Sequence, residues 1–383
     1  MTVAHVRLKK GRERSILRRH PWIFSGAVQS ISEEINEGDL VDIIDHNGGF
    51  LARGHFSSGS LCIKILSFEN DVIDAEWFLN RLKKAKVLRE ELNLPSSQTN
   101  CFRLVHGEGD GLAGLIIDIY DEIAVIQTHS AGMKRSLESI KSALLELGYQ
   151  RIVLKPVGKE KSTVLSGTIE EREKVLELGL TYHIDILHGQ KTGFFIDQRN
   201  SRDLVKSYSK GRKMLNVFSY TGGFSIASLA GGGTEAVSLD ASAKALELAE
   251  ENAALNGFSE RHQAIKADAV PFLESNSLDE YDLIVLDPPA FAKHKSARHN
   301  AIQAYRRINE AAIKGIASGG ILFTFSCSQG IDRQMFYDTI ISAAIQARRE
   351  VKVLYHLRQP EDHPVNIFHP EGEYLKGLVL KIF

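Results

Sequence analysis

The stretch 213–225, KMLNVFSYTGGFS, decides the fold of the C-terminal half of this chain. An apolar, strand-like run leads directly into a turn with two adjacent glycines, and the turn opens a helix. In open α/β sheets such a turn lies at the carboxyl end of a strand, where the backbone approaches a ligand closely. The stretch therefore predicts the first strand of a ligand-binding sheet, with Gly222 and Gly223 in the turn that faces the ligand.

Outward from this stretch, strands and helices alternate from about residue 188 onward, which predicts βαβ units and a mostly parallel sheet. The predicted strands are 213–219, 235–240, 262–268, 281–287, 320–326, 350–357 and 374–383. Helices are predicted at about 242–256, 299–317 and 332–348. The first of these helices stops at Gly257, a residue suited to the C-cap.

Acidic residues end three successive strands of this sheet. Asp240, 18 residues after Gly222, is suited to both hydroxyls of an adenosine ribose. Asp268 could accept a hydrogen bond from the adenine amino group while Ala269 donates through its backbone. A dinucleotide site would require G-x-G-x-x-G, but here the glycines are adjacent and the third is missing. A sulfonium cofactor without phosphates fits better, although each acid alone could be a helix cap or a solvated loop residue.

The third acid, Asp287, belongs to the segment LIVLDPPAF, 283–291. Pro288 and Pro289 force a rigid, extended exit from the strand and supply no backbone donors. The carboxylate and the carbonyl groups then offer acceptors to a planar group rich in N–H, such as the edge of cytosine or adenine. The alternative is a Pro-Pro turn that serves geometry alone.

Cys327 follows the next strand, in FTFSCSQG, 323–330. A free cysteine taken alone is usually a small buried hydrophobic residue. At the carboxyl edge of the sheet, beside the strand that ends in Asp287, it would face the same pocket. A nucleophilic cysteine acts as the thiolate, so we expect it to be partly exposed and close to positive or donor groups.

The N-terminal half predicts two further domains. Residues 1–72 read as a small β-barrel, with a hairpin at 38–56 around Asn-Gly-Gly. Residues 73–187 form an α+β middle domain with helices at 74–92 and 134–148 and a strand at 151–156, and the sheet described above occupies 188–383. A dense basic run at 7–19 predicts contact with RNA or DNA, since arginine suits phosphate and base contacts; a plain exposed face is the alternative. The predicted RNA-binding residues are Arg7, Lys9, Lys10, Arg12, Arg18 and Arg19.

Composition narrows the class of protein. The 383 residues carry a net charge of −1, and 43% of them are hydrophobic, as in ordinary globular proteins. Three distant cysteines exclude a disulfide framework, and there is no CxxC zinc motif. No apolar stretch is long enough to span a bilayer, and the N-terminus lacks the apolar core of a signal peptide. These features predict a cytoplasmic protein.

The motifs together resemble one family. LNVFSYTGGFS, VSLDASAKALELAEENAALNG, LDPPAF and FSCS are similar to class I S-adenosylmethionine-dependent methyltransferases. The whole chain, from HPWIFSGAV through GQKTGFFIDQR to PEGEYLKGL, resembles the bacterial 23S ribosomal RNA cytosine-C5 methyltransferases with an N-terminal PUA domain. The resemblance implies a PUA-like barrel, an α+β middle domain, a Rossmann-like domain with a seven-stranded, mostly parallel sheet, and a cytoplasmic homodimer.

The resemblance also implies roles for individual residues. Cys327 would be the nucleophile that adds to C6 of the cytosine, and Asp287 would hold its N3 and amino edge. The motif D-P-P-A-F lacks the second cysteine that some cytosine-C5 RNA methyltransferases carry, so Glu371 or His363 is the candidate for removing the C5 proton. The implied cofactor-binding residues are Gln198, Arg199, Phe218, Tyr220, Thr221, Gly222, Asp240, Ala241, Ser242, Asp268, Ala269 and Asp287. For Gln198 and Arg199 the alternative is a helix start capped by Asp197.

Two other functions stay open at this point. A methyltransferase acting on guanine N2 or adenine N6 would use the acid-Pro-Pro motif but would need no nucleophilic cysteine. A non-catalytic RNA-binding assembly factor would keep the fold without catalysing a reaction. The three intact acids at the strand ends argue against the loss of the cofactor site that this alternative requires. No metal site is predicted.

Overall fold

The computed structural model describes residues 4–32, 34–158, 160–292 and 295–383, so the first three residues of the predicted barrel lie outside the described residues. The chain forms two compact units. The first contains Met1–Val175, Asp185–Ile196 and Glu361–Gly372. The second contains Leu176–Ile184, Asp197–Pro360 and Glu373–Phe383. The three-domain division at 72 and 187 stays a prediction.

The first unit begins with a six-stranded sheet in the order β2-β6-β5-β4-β1-β3. Its elements are β1 (Ala4–Leu8), α1 (Arg14–Leu17), β2 (Trp22–Phe24), β3 (Val28–Ile31), β4 (Leu40–Ile44), β5 (Phe50–Phe56) and β6 (Leu61–Ser67). Strands β4 and β5 form the predicted hairpin. In its turn the Asp45 carboxylate accepts the N–H groups of Asn47 and Gly49, both at 2.8 Å. Alternate residues such as Val6, Leu8 and Val41 face a small apolar core.

The same unit contains a five-stranded sheet in the order β11-β10-β9-β8-β7, packed against helices. The elements are α2 (Ala75–Glu91), β7 (Cys101–His106), β8 (Leu115–Tyr120), β9 (Ile123–Thr128), α3 (Ala131–Arg135), α4 (Leu137–Glu146), β10 (Arg151–Leu154) and β11 (Thr163–Ser166). Helix α2 begins where the sequence predicts, with the Asp74 side chain capping the N–H of Trp77. The predicted helix 134–148 is divided in two at Ser136.

A short hairpin that the sequence analysis missed follows, made of β12 (Glu173–Glu177) and β13 (Leu180–Ile184). Its two turn residues, Leu178 and Gly179, have φ angles of 52° and 79°. Two successive positive φ angles are the requirement of a type I′ turn, which usually selects Asn-Gly. Leucine at the first position hides this signal from a reading of the sequence.

The second unit is built on a seven-stranded sheet in the order β16-β15-β14-β17-β18-β20-β19. Its strands are β14 (Lys213–Val217), β15 (Glu235–Asp240), β16 (His262–Lys266), β17 (Leu283–Leu286), β18 (Ile321–Ser326), β19 (Val351–Leu357) and β20 (Lys376–Ile382). Six strands run in the same direction, and β20 lies antiparallel between β18 and β19. The predicted fold class and all seven strands are confirmed.

Helices accompany this sheet: α5 (Arg199–Tyr208), α6 (Gly223–Ala230), α7 (Ala243–Leu255), α8 (Ala269–Ser275), α9 (Arg298–Gly315) and α10 (Arg333–Ala347). Strands β17 and β18 are buried along their whole length, as expected when helices cover both faces of a parallel sheet. From β14 the chain order runs to β15 on one side and to β17 on the other. This reversal is the switch point at which α/β sheets bind ligands. Among the described helices, none is both long and apolar enough to cross a membrane.

Candidate active site

The turn after β14 holds three residues in the left-handed region of backbone space. Phe218, Tyr220 and Gly222 have φ angles of 61°, 47° and 78°. Such angles cost a non-glycine residue about 1–3 kcal/mol and cluster at functional sites. At Gly222 a side chain would also collide with α7, because its Cβ atom would lie 2.9 Å from the Cβ of Ala249. Thr221, between them, is buried. The predicted turn is therefore a strained loop at the carboxyl edge of the sheet.

The carboxylate of Asp240 joins the ends of β14 and β15. One oxygen accepts the N–H of Tyr220 at 3.0 Å, and the other accepts the N–H of Ser242 at 2.9 Å. A carboxylate oxygen can accept two hydrogen bonds, so each keeps a lone pair for a further donor such as a hydroxyl. Ala241 is exposed beside it. The geometry leaves Asp240 able to bind a ribose.

Two helices begin at the same edge. Ser242 caps α7 by accepting the N–H of Ala245 at 3.3 Å. Asp268 occupies the N-cap position of α8, but its side chain makes no capping hydrogen bond. The N–H of Ala269 lies in the first turn, where backbone donors have no acceptor inside the helix. An acceptor and a donor thus lie side by side, as recognition of an adenine edge requires.

Gln198 and Arg199 mark the start of α5. Gln198 is 2% exposed, and its Oε1 atom accepts no hydrogen bond from the described part of the chain. A buried acceptor without a donor costs free energy, so this oxygen fits a ligand with an ammonium or hydroxyl group. S-adenosylmethionine carries both groups. Asp197 accepts a hydrogen bond from the Tyr374 hydroxyl at 2.7 Å, and the Gln198 side chain does not cap α5.

A buried ion pair supports this helix. Glu177, on β12, is 1% exposed and accepts two hydrogen bonds from Arg202, at 2.6 and 2.8 Å. Its carboxylate also lies 3.8 Å from Nε of Arg199. The sequence does not predict this pair, because 25 residues separate the two partners and no local pattern connects them.

Asp287 and Cys327 come to one edge of the sheet. In the ladder between β17 and β18, Leu286 pairs with Thr324. Asp287 and Cys327 therefore lie one and three residues beyond a paired position on adjacent parallel strands. Both side chains are half-buried. Cys327 is accordingly not one of the core thiols, whereas Cys62 and Cys101 are fully buried.

Ser328 connects the loop that follows β17 to the loop that follows β18. Its hydroxyl accepts the N–H of Ala292, which directly follows the D-P-P-A-F motif, at 3.1 Å. The same oxygen shares a hydrogen bond of 2.9 Å with the hydroxyl of Tyr305 on α9. The Tyr305 ring packs 4.8 Å from the ring of Phe291. A hydrogen bond of Ser328 therefore connects the loop that carries Asp287 to the loop that carries Cys327.

Lys376 lies beside the turn that follows Cys327. It is 5% exposed, and its ammonium donates to the carbonyl groups of Ser328 at 2.8 Å and Ile331 at 2.9 Å. Burial lowers the pKa of Lys376 to about 8, while the charge of a Cys327 thiolate acts in the opposite direction. The sequence analysis missed this residue. The one feature of the sequence that could have indicated Lys376 is a lysine at the start of a mostly apolar strand.

The two candidates for removing the C5 proton belong to the first unit. Glu371 is exposed, and its Oε2 atom lies 3.6 Å from Nε2 of His20 and 3.9 Å from Nε2 of His369. His363 is fully buried, with Nδ1 3.0 Å from Oδ1 of Asp362. The role in proton removal stays a prediction for both.

The predicted RNA-binding residues also lie in the first unit. Arg7 is half-buried and donates to the carbonyls of the β4–β5 turn, whereas the other five are exposed. Lys9 is tethered to the carbonyl of Gly26 at 3.0 Å. A depression of about 490 Å³ is lined by Ser15, Arg18, His20 and Phe368. A positive side chain and an exposed aromatic ring thus share one concave surface.

Comparisons with known proteins agree with this architecture. A family model described as S-adenosylmethionine-dependent methyltransferase matches residues 114–367, and one described as a PUA-like domain matches residues 6–68. A Streptococcus mutans protein assigned as a SAM-dependent methyltransferase has the same fold, with a TM-score of 0.86 at 20% identity over 99% of this chain and all of that one. A second solved methyltransferase of this fold, in complex with SAH, has a TM-score of 0.87 at 20% identity, with 99% and 100% coverage.

Curated relatives match over nearly the whole length. Proteins named ribosomal RNA large subunit methyltransferase I are 39% identical in Alteromonas mediterranea, with 99% of both chains covered. Those of Aeromonas salmonicida and Escherichia coli are 40% and 38% identical, with 98% of both chains covered. S-adenosylmethionine is thereby confirmed as the cofactor predicted from the glycine turn and the acids. The chain belongs to the ribosomal RNA large subunit methyltransferase I family, S-adenosylmethionine-dependent methyltransferases with an N-terminal PUA-like domain.

Proposed function

We propose that this enzyme methylates carbon 5 of a cytosine in 23S ribosomal RNA through a covalent adduct of Cys327. Its curated relatives are named for the ribosomal RNA of the large subunit. The observation that carries the proposal is the placement of Cys327, half-exposed at the sheet edge and bonded through Ser328 to the loop of Asp287. An enzyme that methylates an exocyclic amine would not need a thiol there.

Cys327 overcomes the low nucleophilicity of pyrimidine C5. Its thiolate forms a bond to C6, and the electron pair of the C5–C6 double bond makes C5 nucleophilic. S-adenosylmethionine supplies the methyl group as an electrophile on sulfonium. After methyl transfer to C5, a base takes the C5 proton. The C–H electron pair restores the double bond, and the sulfur leaves C6 as thiolate.

Asp287 holds the target base during this sequence. Its carboxyl group and the neighbouring carbonyls face the N3 and amino edge, where charge changes as the thiolate adds. The base must leave its stack to reach such a pocket. Glu371 is the proposed acceptor of the C5 proton, with His363 as the other candidate.

The cofactor is held along the carboxyl edge of β14–β17. Gln198 and Arg199 bind the methionine moiety, and Asp240 binds the ribose hydroxyls. Asp268 and the N–H of Ala269 bind the adenine edge. The remaining contacts are assigned to Phe218, Tyr220, Thr221, Gly222, Ala241, Ser242 and Asp287. The buried, undonated oxygen of Gln198 is the observation that favours this assignment.

A trapped adduct tests the proposal. Unmodified 23S RNA containing 5-fluorocytidine is mixed with S-adenosylmethionine and the protein. Fluorine replaces the proton that must leave C5, so elimination stops and the sulfur–C6 bond persists. We expect a protein–RNA adduct that survives denaturing electrophoresis and maps to Cys327 by mass spectrometry.

The Cys327→Ala variant is the control, and it should give no adduct. If neither protein forms an adduct while both transfer methyl groups to unsubstituted RNA, Cys327 is not the nucleophile. Methylation of an exocyclic amine then becomes the better description. Cofactor binding without any methyl transfer to RNA would favour an assembly factor.

In this proposal the PUA-like domain binds the RNA, mostly through contacts to its phosphate groups. Replacing Arg18 and Arg19 with alanine should weaken RNA binding about tenfold at moderate salt and lower the slope of log K against log salt by about 1–2. Cofactor affinity should not change. The measurement is RNA binding across a salt series, beside calorimetry with SAH.

A matched control removes the same charge elsewhere in the first unit, with Lys83 and Lys84 of α2 replaced by alanine. This variant should keep most of the RNA affinity. An equal loss in both double variants would mean that net charge, rather than this surface, binds the RNA. A parallel loss of cofactor affinity in the arginine variant would contradict the division of labour between the domains.

The family resemblance also supports a homodimer in the cytoplasm, and both remain part of the proposal. The proposed substrate, ribosomal RNA, is consistent with that compartment.

A further inference from the structure

We propose that Lys376 is a positioning residue for Cys327, fixing the turn that carries the thiol and placing a positive charge beside it. This inference rests on the proposed function, because it assigns Lys376 to the same nucleophile. It adds to that function the group that keeps Cys327 reactive at neutral pH.

The position of Lys376 is set by the sheet itself. In the antiparallel ladder between β18 and β20, Ser326 pairs with Lys376, so the lysine stands opposite the residue before Cys327. From there its ammonium reaches over the turn and donates to the carbonyls of Ser328 and Ile331. An ammonium has three N–H groups, and within the described part of the chain only these two have an acceptor.

This arrangement fits a thiolate better than a purely structural lysine. Two neutral carbonyls do not compensate a buried ammonium, and burial lowers the pKa of Lys376 to about 8. A thiolate at Cys327 raises the same pKa, and by reciprocity the ammonium favours the thiolate. The buried charge of Lys376 therefore lowers the stability of the fold while Cys327 is neutral. A negative charge on Cys327 offsets that cost.

Other charged groups act on this pair. The Lys376 ammonium is also affected by Asp332 and Glu373, which favour its charge, and by Arg333, which opposes it. Arg333 is itself paired with Glu373, and Asp332 caps α10. The hydroxyl of Tyr305 on α9 shares a hydrogen bond with Ser328, the residue after Cys327, and burial raises the pKa of this hydroxyl, so it stays protonated at neutral pH. Among the described residues, Arg298 on α9 also contacts this turn, donating to the carbonyl of Gly330 at 2.8 Å, but it is half-buried, whereas Lys376 is buried.

The test measures the reactivity of Cys327 without RNA. Alkylation by iodoacetamide is followed by mass spectrometry of the Cys327 peptide, over about pH 5.5 to 9. Lys376→Met should move the midpoint of the rate profile upward by about one pH unit, with a roughly tenfold slower reaction near pH 7. Lys376→Gln keeps a polar donor without the charge and should show the same shift. Lys376→Arg keeps the charge and should retain the wild-type midpoint.

Lys381→Met is the matched control. Lys381 lies on the same strand and donates to the carbonyl of Gly319, but it pairs with Ile321 at the far end of β18. The pH profile of Cys327 alkylation in Lys381→Met should match that of the wild type. If the Met and Gln variants keep the wild-type midpoint, or if only the plateau rate changes, Lys376 acts through folding alone and the inference is wrong.

The outcome is separable from that of the proposed function. Absence of a 5-fluorocytidine adduct in the wild type would overturn the covalent mechanism and leave the alkylation profile as measured. An adduct in the wild type together with an unshifted profile in Lys376→Met would overturn only the role of the lysine. If the Met variant does not fold, the Gln and Arg variants decide the question by the same midpoint.

Discussion

Cys327→Ala is expected to reduce methyl transfer to unmodified 23S RNA by about 10⁴-fold or more. Removing the nucleophile from a covalent mechanism leaves only binding and orientation to accelerate the reaction. Cofactor affinity should stay within about twofold, because Cys327 is not among the residues assigned to the cofactor. The measurement is a single-turnover assay with labelled S-adenosylmethionine, accompanied by calorimetry with SAH.

The same substitution at another cysteine provides the control. Cys62 is buried in the first unit, where its sulfhydryl group donates to the carbonyl of Ile23 at 3.3 Å. Cys62→Ala should cost about 1 kcal/mol of stability and leave the rate of methyl transfer unchanged. A Cys327→Ala enzyme with more than a tenth of the wild-type rate would remove the covalent mechanism from consideration.

Glu177→Gln is expected to lower the free energy of unfolding of the second unit by about 3–5 kcal/mol. The carboxylate of Glu177 is buried, accepts two hydrogen bonds from Arg202 and lies close to Arg199. Without this charge, the Arg202 guanidinium loses its charged acceptor in a site where both side chains are almost fully buried. Chemical denaturation, followed separately for the two units, measures the loss.

An exposed pair of the same geometry is the control. Arg307 donates to both oxygens of Glu274, but both side chains are substantially exposed. Solvent screens such a pair, so Glu274→Gln should change the free energy of unfolding far less than Glu177→Gln does. Similar losses in the two variants would mean that water reaches Glu177 and that the start of α5 does not depend on its charge.

The sheet of the second unit could be predicted because its signals are local. Each strand is an apolar run of ordinary length, and the turn carries two adjacent glycines, of which Gly222 is required by its close approach to α7. The prediction that Asp240 and Asp268 bind the cofactor rests on the carboxyl ends of parallel strands meeting at one edge. Such arguments need only strand order and the direction of the chain.

The remaining features depend on contacts between distant residues. Lys376 comes close to Cys327 because β20 inserts beside β18, and nothing in the sequence near either residue records that register. Tyr305 reaches Ser328 from the middle of α9, and Glu177 reaches Arg202 from a hairpin whose turn lacks the usual residues. The segment Glu361–Gly372 joins the first unit although it lies between β19 and β20 of the second unit in sequence. Arg89 of α2 contacts this segment by donating a hydrogen bond to the carbonyl of Asp362.

The shared hydroxyl of Ser328 has a consequence for the timing of the reaction. Displacing one loop from the other must break the hydrogen bond between Ala292 and Ser328, so this bond opposes independent motion of the two loops. The enzyme then has few conformations in which the sulfur is poised while the carboxylate of Asp287 is displaced. Under the proposed mechanism, the same bond would disfavour an adduct at Cys327 while Asp287 is displaced from the base.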